Sequence, residues 1–361
     1  MQSSMQSSMR SSFLKLILPI VVSSITAAHA ATAPAASAAD SQTILSALNK
    51  ANAAVVGVKV TAVDGARSAQ TLGLNRSGSG VVIGADGLVL TIGYLMLEAQ
   101  QIEIITQEGK ALPAVAVAYD LATGFGLIKP LVSMSTLRGV VPVSLGSLQD
   151  LKPGEPLMAA TGASLDGIEG GVSMTRLVSR RAFSGTWEYH LDTALFTSPP
   201  VSSGRGNHSG APLFNRKGEL LGIGSLLVAD ALGENRRNPG NMFVPVELLK
   251  PILAELQQSG SSKQSARAWL GLTSSDQGGR VQVVRVSEGS PAEEAGLRPG
   301  AIVQAIDGVE VTTLEAFYKK LWGRESLEQP VKLTVREGND VKTIDVTPQN
   351  RMLSLKKPAG I

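Results

Sequence analysis

The strongest constraint on the fold is a long succession of short apolar segments separated by turn residues and not by helices. Turn pairs such as Asp86-Gly87 and Glu108-Gly109 lie between them, and the chain holds 38 Gly, 18 Pro and only 4% aromatic residues. Closely spaced strands without intervening helices predict an antiparallel barrel or sandwich and argue against a parallel α/β sheet. The segments are residues 55–63, 80–83, 88–92, 101–106, 115–119, 125–128, 141–145, 156–161, 171–177, 189–195 and 219–228.

A polar linker divides the chain into two predicted domains. Apolar residues at helical spacing predict helices over residues 41–52 and about 245–256, which open and close a first domain at 41–256. The sequence QQSGSSKQS at 257–265 predicts a flexible linker. Mixed strands and helices then predict a small α+β domain over 266–348 and a C-terminal tail over 349–361. Its strands are predicted at 269–272, 281–286, 302–306, 331–336 and 341–346, and its helices at 292–295 and 314–322.

The N-terminal segment has the order of an export signal. Arg10 and Lys15 are the only charges before an apolar run at residues 16–28, and Ala28-His29-Ala30 resembles a cleavage site. The run is about 13 residues long, whereas a membrane-spanning helix needs about 20. We therefore predict a signal peptide at 1–30 that is cleaved near Ala30, a tether at 31–40, no stable membrane span, and a periplasmic or secreted mature protein.

Several classes of chemistry are excluded by residue types that are absent or rare. The chain has no Cys, which excludes disulfides, thiolate metal sites and a Cys nucleophile. The net charge is only +3, so we expect no nucleic-acid partner. The Gly-rich stretches lack a phosphate-binding Gly-Lys-Ser/Thr sequence, and no His, Asp or Glu group has metal-ligand spacing along the sequence. We therefore predict neither a cofactor nor a metal site.

Four motifs in the first domain carry a resemblance to a known family. They are Ser77-Gly78-Ser79-Gly80-Val81-Val82-Ile83, the pair Leu90-Thr91, the block DLATGFGLIK at residues 120–129, and the segment SGAPLFN at 209–215. In order and separation they resemble trypsin-fold serine proteases of the HtrA/DegP family. The resemblance implies that the first domain is a trypsin-like double antiparallel β-barrel, so that the protein as a whole is mainly β.

The second domain resembles the PDZ domain that follows the protease in this family. The similar stretches are Trp269-Leu270-Gly271-Leu272, the run GSPAEEAGLRPG at residues 289–300, and Ile306-Asp307-Gly308. Together the two resemblances cover about residues 53–348. They imply an exported protein that combines a protease fold with a peptide-binding module.

At the chemical positions the sequence departs from the family. Tyr94 stands where the family has its catalytic His, and Gly124 stands where it has its Asp, whereas Ser209 matches the nucleophile. The oxyanion loop before the nucleophile is also altered, to Asn207-His208-Ser209. Of the family's catalytic triad, the sequence thus keeps a remnant nucleophile position and neither partner.

This departure has a direct chemical consequence. A serine hydroxyl is a poor nucleophile until an oriented base accepts its proton. A tyrosine phenol has an ordinary pKa of about 10 and is a poor base near neutrality, and glycine offers no carboxylate. His208 and His190 are the remaining histidines of the mature chain, and we expect neither to replace the base. The sequence predicts a pseudoprotease, with an active serine endopeptidase of periplasmic quality control as the alternative.

The predicted peptide site lies in the second domain. By the PDZ resemblance, the backbone N–H groups of Leu270, Gly271 and Leu272 face the terminal carboxylate of a bound peptide, and the next strand pairs with its backbone. Tyr318 and Trp322, on the helix predicted at 314–322, are placed at the groove's border. The alternative is a PDZ domain that contacts only its own protease-like domain.

The resemblance and the missing partners together give the functional hypothesis. We expect the protein to bind unfolded or C-terminal peptide segments of envelope proteins as a regulator, adaptor or holdase. A homo-oligomer, or a complex with an active homologous protease, is a further expected partner state.

Overall fold

The computed structural model describes residues 38–132, 140–201, 208–233, 237–276, 278–326 and 329–356. The predicted signal peptide at 1–30, residues 31–37 of the predicted tether, Asn207 and residues 357–361 of the predicted tail lie outside these ranges. In the described part of the chain, no helix combines the length and the apolar character needed to cross a membrane.

The first domain consists of two closed antiparallel barrels, and we call it the barrel domain. The strands are β1 Val55–Ala62, β2 Asn75–Val82, β3 Val89–Ile92, β4 Ala99–Ile105, β5 Ala111–Tyr119, β6 Phe125–Pro130, β7 Pro156–Ala160, β8 Val172–Gly185, β9 Tyr189–Ser198, β10 Pro212–Phe214, β11 Leu220–Val228 and β12 Gly240–Pro245. The first barrel has the strand order β1-β2-β3-β6-β5-β4, and the second has β10-β11-β12-β9-β8-β7.

Three helices flank the barrels, and the short one at Ala69–Leu72 was not predicted from the sequence. They are α1 Ala38–Ala53, α2 Ala69–Leu72 and α3 Leu253–Ser259. The helix expected at 245–256 is instead a 3₁₀ turn at Val246–Leu248 followed by α3, since Pro251 interrupts the helical hydrogen bonding. The strand expected at 141–145 reduces to a single bridge between Leu145 and Leu220.

The C-terminal domain is a small α+β unit with its own apolar core. Its elements are β13 Ala268–Trp269, β14 Leu272–Ser275, β15 Val281–Val286, α4 Pro291–Glu294, β16 Ile302–Ile306, β17 Val309–Glu310, α5 Leu314–Trp322, β18 Val331–Glu337, β19 Asp340–Val346, β20 Gln349–Asn350 and α6 Arg351–Ser354. A sheet of order β14-β15-β16-β18-β19 packs with the helix α5, whose Phe317 and Leu321 are fully buried among the sheet's Val and Leu residues.

The segment that the sequence predicted as a flexible linker, 257–265, is fixed against the barrel domain. The hydroxyls of Ser262 and Ser265 donate hydrogen bonds to the fully buried carboxylate of Asp120, and both serines are themselves buried. Asp120 also accepts from the backbone N–H and the hydroxyl of Thr123. A buried carboxylate needs such donors, because leaving it unpaired would be costly. Two of the polar residues of the segment thus belong to a buried hydrogen-bond network, whereas most of the others, such as Gln257 and Lys263, are exposed.

Candidate functional site

Ser209 lies in the loop before β10, where the two barrels face each other. The backbone N–H of Ser79 in β2 donates to the carbonyl of Ser209 at 2.8 Å. The next residue, Gly210, has a φ of +80°, and a Cβ there would lie 2.0 Å from the carbonyl oxygen of Ser79. Only glycine fits this close approach. The glycine-rich strand β2 and the serine loop thus hold each other in position through their backbones.

Tyr94 reaches Ser209 from the other barrel. It belongs to a 3₁₀ turn, Gly93–Met96, directly after β3. Its hydroxyl oxygen lies 2.6 Å from Ser209 Oγ and 2.8 Å from the carbonyl oxygen of Ser225. A phenol has one proton and a carbonyl only accepts, so both bonds form together when Tyr94 donates to Ser225 and Ser209 donates to Tyr94. The side chain at the predicted histidine position therefore contacts the serine hydroxyl directly.

The protonation state of Tyr94 decides what this contact can do. Burial raises the pKa of Tyr94 to about 12, and the hydrogen bond with Ser209 only partly opposes that rise. At neutral pH the residue is a neutral phenol, so it has no capacity to take the proton of Ser209. The arrangement fixes the serine hydroxyl and does not activate it.

Gly124 provides no group that could orient a base. Its φ is +82°, and its carbonyl accepts a hydrogen bond of 2.7 Å from the N–H of Gly93. A Cβ at this position would lie 3.1 Å from the hydroxyl oxygen of Tyr189, and that hydroxyl donates to the carbonyl of Thr123. The first carbon of a side chain at position 124 would thus lie next to the buried Tyr189.

The two described histidines occupy different surroundings. His208 is partly buried, and burial lowers its pKa; the hydroxyl of its neighbour Ser209 is bonded to Tyr94 instead. His190 lies in β9, where its ring nitrogens lie 2.9 Å from Ser184 Oγ and 3.2 Å from Asp192 Oδ1. Within the described residues, therefore, neither histidine is hydrogen-bonded to Ser209.

A cavity of about 480 Å³ opens beside Tyr94 and extends to the C-terminal domain. The barrel domain contributes Tyr94, Tyr189 and His208 to its walls, and the C-terminal domain contributes Arg285 and Arg351. The cleft next to Ser209 is therefore partly covered by the second domain.

The predicted carboxylate-binding residues of the C-terminal domain do face a carboxylate. We call Leu270, Gly271 and Leu272 the carboxylate loop. Its three backbone N–H groups point at the side chain of Glu188, with N–O distances of 3.1, 3.5 and 3.3 Å. Gly271 has a φ of +88°, and a Cβ there would lie 2.2 Å from Ser290 Cβ, so this turn requires glycine.

Sequence reasoning did not single out Glu188. It lies at the turn between β8 and β9 in the barrel domain, and nothing in local spacing links it to residues about 80 positions further along the chain. One feature of the sequence could have drawn attention to Glu188, since it stands between the aromatic residues Trp187 and Tyr189 at a hairpin turn. An acidic side chain in that position is held near apolar surface.

Tyr318 and Trp322 lie on α5, stacked with ring centroids 5.1 Å apart. Tyr318 is fully buried, and its hydroxyl donates to the carbonyl of Gly185 at 2.8 Å in the same turn that carries Glu188. Trp322 instead donates from Nε1 to the carbonyl of Ala268, with the guanidinium of Arg267 over its ring. Tyr318 thus contacts the turn between β8 and β9. Trp322 instead hydrogen-bonds to β13, the strand that precedes the carboxylate loop.

One cluster of metal-ligand residue types arises only through the tertiary fold. His190 and Asp192 from β9 meet Glu315 from α5, with their ligand atoms within 4.8 Å of one another. The ammonium of Lys319 lies 2.9 Å from Asp192 Oδ1 and 2.7 Å from Glu315 Oε1. This cation pairs with both carboxylates, and Asp192 also pairs with His190, so an ion-pair network between the domains accounts for the cluster.

Comparison with known proteins supports the division into two domain types. Residues 78–223 match the trypsin-like peptidase domain family, and residues 268–347 match the PDZ domain family. The serine endoprotease from Yersinia pestis has a solved structure that covers 88% of this chain and 99% of its own, with a TM-score of 0.51 at 19% identity. At that identity the likeness shows the fold alone.

Two curated relatives extend the comparison to sequence. "Serine protease PepD" of Mycobacterium tuberculosis is 27% identical over 261 residues, which cover 67% of this chain and 54% of the relative. "Probable periplasmic serine endoprotease DegP-like" of Hahella chejuensis is 29% identical over 283 residues, which cover 73% of this chain and 55% of the relative. The chain thus spans only a little more than half the length of these two relatives.

Proposed function

Given that this chain belongs to the HtrA/DegP family of trypsin-fold serine proteases with a PDZ domain, we propose that it binds peptides and does not cleave them. The peptides are exposed or C-terminal segments of envelope proteins, and the PDZ domain captures them. The barrel domain keeps the protease fold as a scaffold. The observation that carries the loss of cleavage is the neutral phenol of Tyr94 bonded to Ser209 Oγ.

Three features support the loss of peptidase activity. The group beside the serine is protonated at neutral pH, the position of the orienting carboxylate is Gly124, and the hydroxyl of Ser209 is already paired. Removing members of a catalytic triad lowers the rate by several orders of magnitude, because the serine then lacks a proton acceptor.

The test of this part compares the mature protein with its Ser209→Ala variant. We expect neither protein to degrade unfolded casein, and we expect a fluorophosphonate to label the wild type no more than the variant. Thermal melts of both proteins serve as the control that each is folded. Turnover or labelling that disappears in Ser209→Ala would establish the rival function, an active serine endopeptidase.

That rival has specific support of its own. Ser209 keeps its position between the barrels, and the named relatives include serine proteases. A base other than Tyr94 would be required, and neither described histidine is hydrogen-bonded to Ser209. The casein and fluorophosphonate assays decide between the two functions.

Peptide binding is supported by the geometry of the carboxylate loop. Its three N–H groups converge on a carboxylate, and hydrogen bonds to a charged acceptor are stronger than neutral ones. The buried side chains of Leu270 and Leu272 flank the loop and favour an apolar last residue. We therefore expect peptides that end in Val, Leu, Ile or Phe to bind with micromolar Kd, or about −8 kcal/mol.

The matching experiment is a calorimetric titration of the mature chain with free-acid peptides and with their C-terminal amides. The amide lacks the charge that the loop binds, so we expect it to bind at least about tenfold more weakly. Equal binding of both forms, or none of either, would show that carboxylate capture is not the function of this domain.

The cellular setting follows from the N-terminal sequence and the relatives. Export through a signal peptide cleaved near Ala30 would place the protein in the periplasm, as the name of the Hahella relative states for that protein. There it would act as a regulator, adaptor or holdase, either as a homo-oligomer or with an active homologous protease. N-terminal sequencing of the exported protein tests the cleavage site, and its absence from the periplasmic fraction would contradict the assignment.

A further inference from the structure

The turn between β8 and β9 lies in the groove where a peptide would bind. We call residues 185–188 the hairpin tip. Its Glu188 carboxylate faces the carboxylate loop, as described above. Main-chain pairing accompanies it, because the N–H of Ser274 in β14 donates to the carbonyl of Thr186 at 2.8 Å. A bound peptide pairs with the same strand in the same manner.

The helix on the other side of the groove also contacts the hairpin tip. The hydroxyl of Tyr318 donates to the carbonyl of Gly185 and accepts from the N–H of Glu188 at 3.1 Å. One side chain of α5 therefore satisfies two backbone groups of the tip. The tip is thus bonded to the carboxylate loop, to β14 and to α5, which are the three walls of the groove.

Glu188 has an unusual backbone conformation for its residue type. Its φ is +58°, in the left-handed region where Gly and Asn are preferred, and the residue is only 6% exposed. A non-glycine residue in this conformation that also buries a carboxylate is energetically unfavourable unless its surroundings hold it. The donors of the carboxylate loop supply that support. A glycine would satisfy the turn but would bring no carboxylate.

We propose that Glu188 is a built-in ligand of the PDZ domain, which occupies the carboxylate site until a peptide terminus displaces it. The proposal rests on the proposed peptide-binding function and adds its regulation. A peptide must supply its own carboxylate and backbone to replace those of the hairpin tip. Its apparent affinity is therefore lower than the intrinsic affinity by the fraction of molecules whose tip has left the groove.

The test removes the carboxylate and keeps the rest of the domain interface. Glu188→Gln retains the length of the side chain, and Glu188→Gly relaxes the positive φ, so at least one variant should fold. The matched control is Asp192→Asn, which removes an exposed carboxylate of β9 that pairs with Lys319 of α5 but does not touch the carboxylate loop. All are made in the full mature chain.

Two readouts separate the proposal from the function on which it rests. Hydrogen exchange of the amides of the carboxylate loop reports the internal ligand without any peptide. Calorimetry with an eight-residue free-acid peptide ending in Val, and with its amide, reports binding. We expect at least tenfold faster exchange and at least tenfold tighter binding of the free acid in both Glu188 variants, and less than a threefold change in Asp192→Asn.

Each outcome has a defined meaning. Unchanged exchange in both Glu188 variants would overturn the internal ligand, and so would free-acid binding that is measurable in the variants but no tighter than in the wild type. Faster exchange without peptide binding in any variant would support the internal ligand and overturn the peptide-binding function. Equal gains in Asp192→Asn would assign the effect to general loosening between the domains and would also overturn the proposal.

Discussion

The cleft around Ser209 and the groove around the carboxylate loop keep their backbone frameworks, yet they differ in what chemistry survives. Catalysis in the cleft would depend on side chains, and Tyr94 and Gly124 stand at two of the three positions that the family resemblance assigns to the triad. The groove depends on backbone N–H groups, which most substitutions leave in place, and its donors still bind a carboxylate. A function built on backbone donors is thus harder to lose by point substitution than one built on side chains.

The two sites are alike in being filled from within the chain. A phenol pairs with the serine hydroxyl in the cleft, and a glutamate pairs with the N–H groups in the groove. The sites differ in whether another group can take the place of the one that occupies them. In the proposed regulation a peptide carboxylate displaces that of Glu188, whereas the neutral phenol of Tyr94 occupies the place beside Ser209 Oγ where a base would be needed.

The largest expected effect concerns an attempt to make the cleft chemically complete. We expect the double variant Tyr94→His, Gly124→Asp to cleave casein no faster than Ser209→Ala does, which is roughly four orders of magnitude below the rate of a working triad. The reason is steric, since residue 124 has a φ of +82° and its Cβ would lie 3.1 Å from Tyr189 Oη. Casein degradation and fluorophosphonate labelling measure the activity of the double variant. Ser209-dependent labelling of the double variant would show that the cleft lost only two side chains and kept its geometry.

The next effect tests the backbone donors of the groove. In a Glu188→Gly background, we expect Gly271→Val to weaken free-acid peptide binding at least a hundredfold. The added side chain would collide with Ser290 and distort the loop. Gly278→Val is the matched control, because Gly278 also has a positive φ, of +74°, but a Cβ there meets no atom within 4 Å. Comparable losses in both variants, measured by calorimetry, would assign the effect to backbone strain alone.

A smaller effect is expected from pH. Burial raises the pKa of Glu188 to about 7, against the opposing influence of Arg351 and of the loop's N–H groups, while Tyr318 contacts the tip as a neutral phenol. In the open state this pKa returns to about 4.5, so the closed state binds a proton more readily. Closing is fully favoured below about pH 4.5 and weakens as pH rises to about 7.

The observable consequence is a pH-dependent affinity. We expect the wild type to bind the free-acid peptide about tenfold more tightly at pH 7.5 than at pH 5, and Glu188→Gln to lose most of this dependence. Calorimetry at four or five pH values measures both proteins. If the affinity of the two proteins changes equally with pH, the dependence arises from another group. The partly buried His208 beside the cleft is one candidate.

The smallest effect concerns stability. If Ser209 has become a structural partner of Tyr94, then Tyr94→Phe leaves the carbonyl of Ser225 and the hydroxyl of Ser209 without that donor and acceptor. We expect a loss of about 1–3 kcal/mol in the free energy of unfolding, and a coupling of about 1 kcal/mol with Ser209→Ala in a double-mutant cycle. Urea denaturation measures both quantities. Additive effects of the two substitutions would mean that the contact does not stabilise the fold.

Much of the framework followed from the sequence because its signals are local. Strand segments with turn pairs predicted an antiparallel barrel or sandwich, and the family resemblance implied the double barrel. Helical spacing predicted α5 at residues 314–322, as observed. The motif at 209–215 located Ser209, and the residue types at positions 94 and 124 were enough to question the triad. The strand predicted over residues 269–272 is interrupted in the structure by the left-handed turn at Gly271, which separates β13 from β14.

The tertiary structure decided which groups meet, and these contacts bridge large separations in the chain. Tyr94 and Ser209 are 115 residues apart, and Glu188 and Leu270 are 82 apart. Ser262 and Ser265, in the segment predicted as a linker, donate hydrogen bonds to Asp120, which lies more than 140 residues before them. Local pattern carries no record of such pairs, because they depend on how the barrels close and on where the second domain packs. The sequence by itself therefore determined which chemical groups this protein has and lacks, and only the packing of the two domains decided that a phenol fills its cleft and a glutamate its groove.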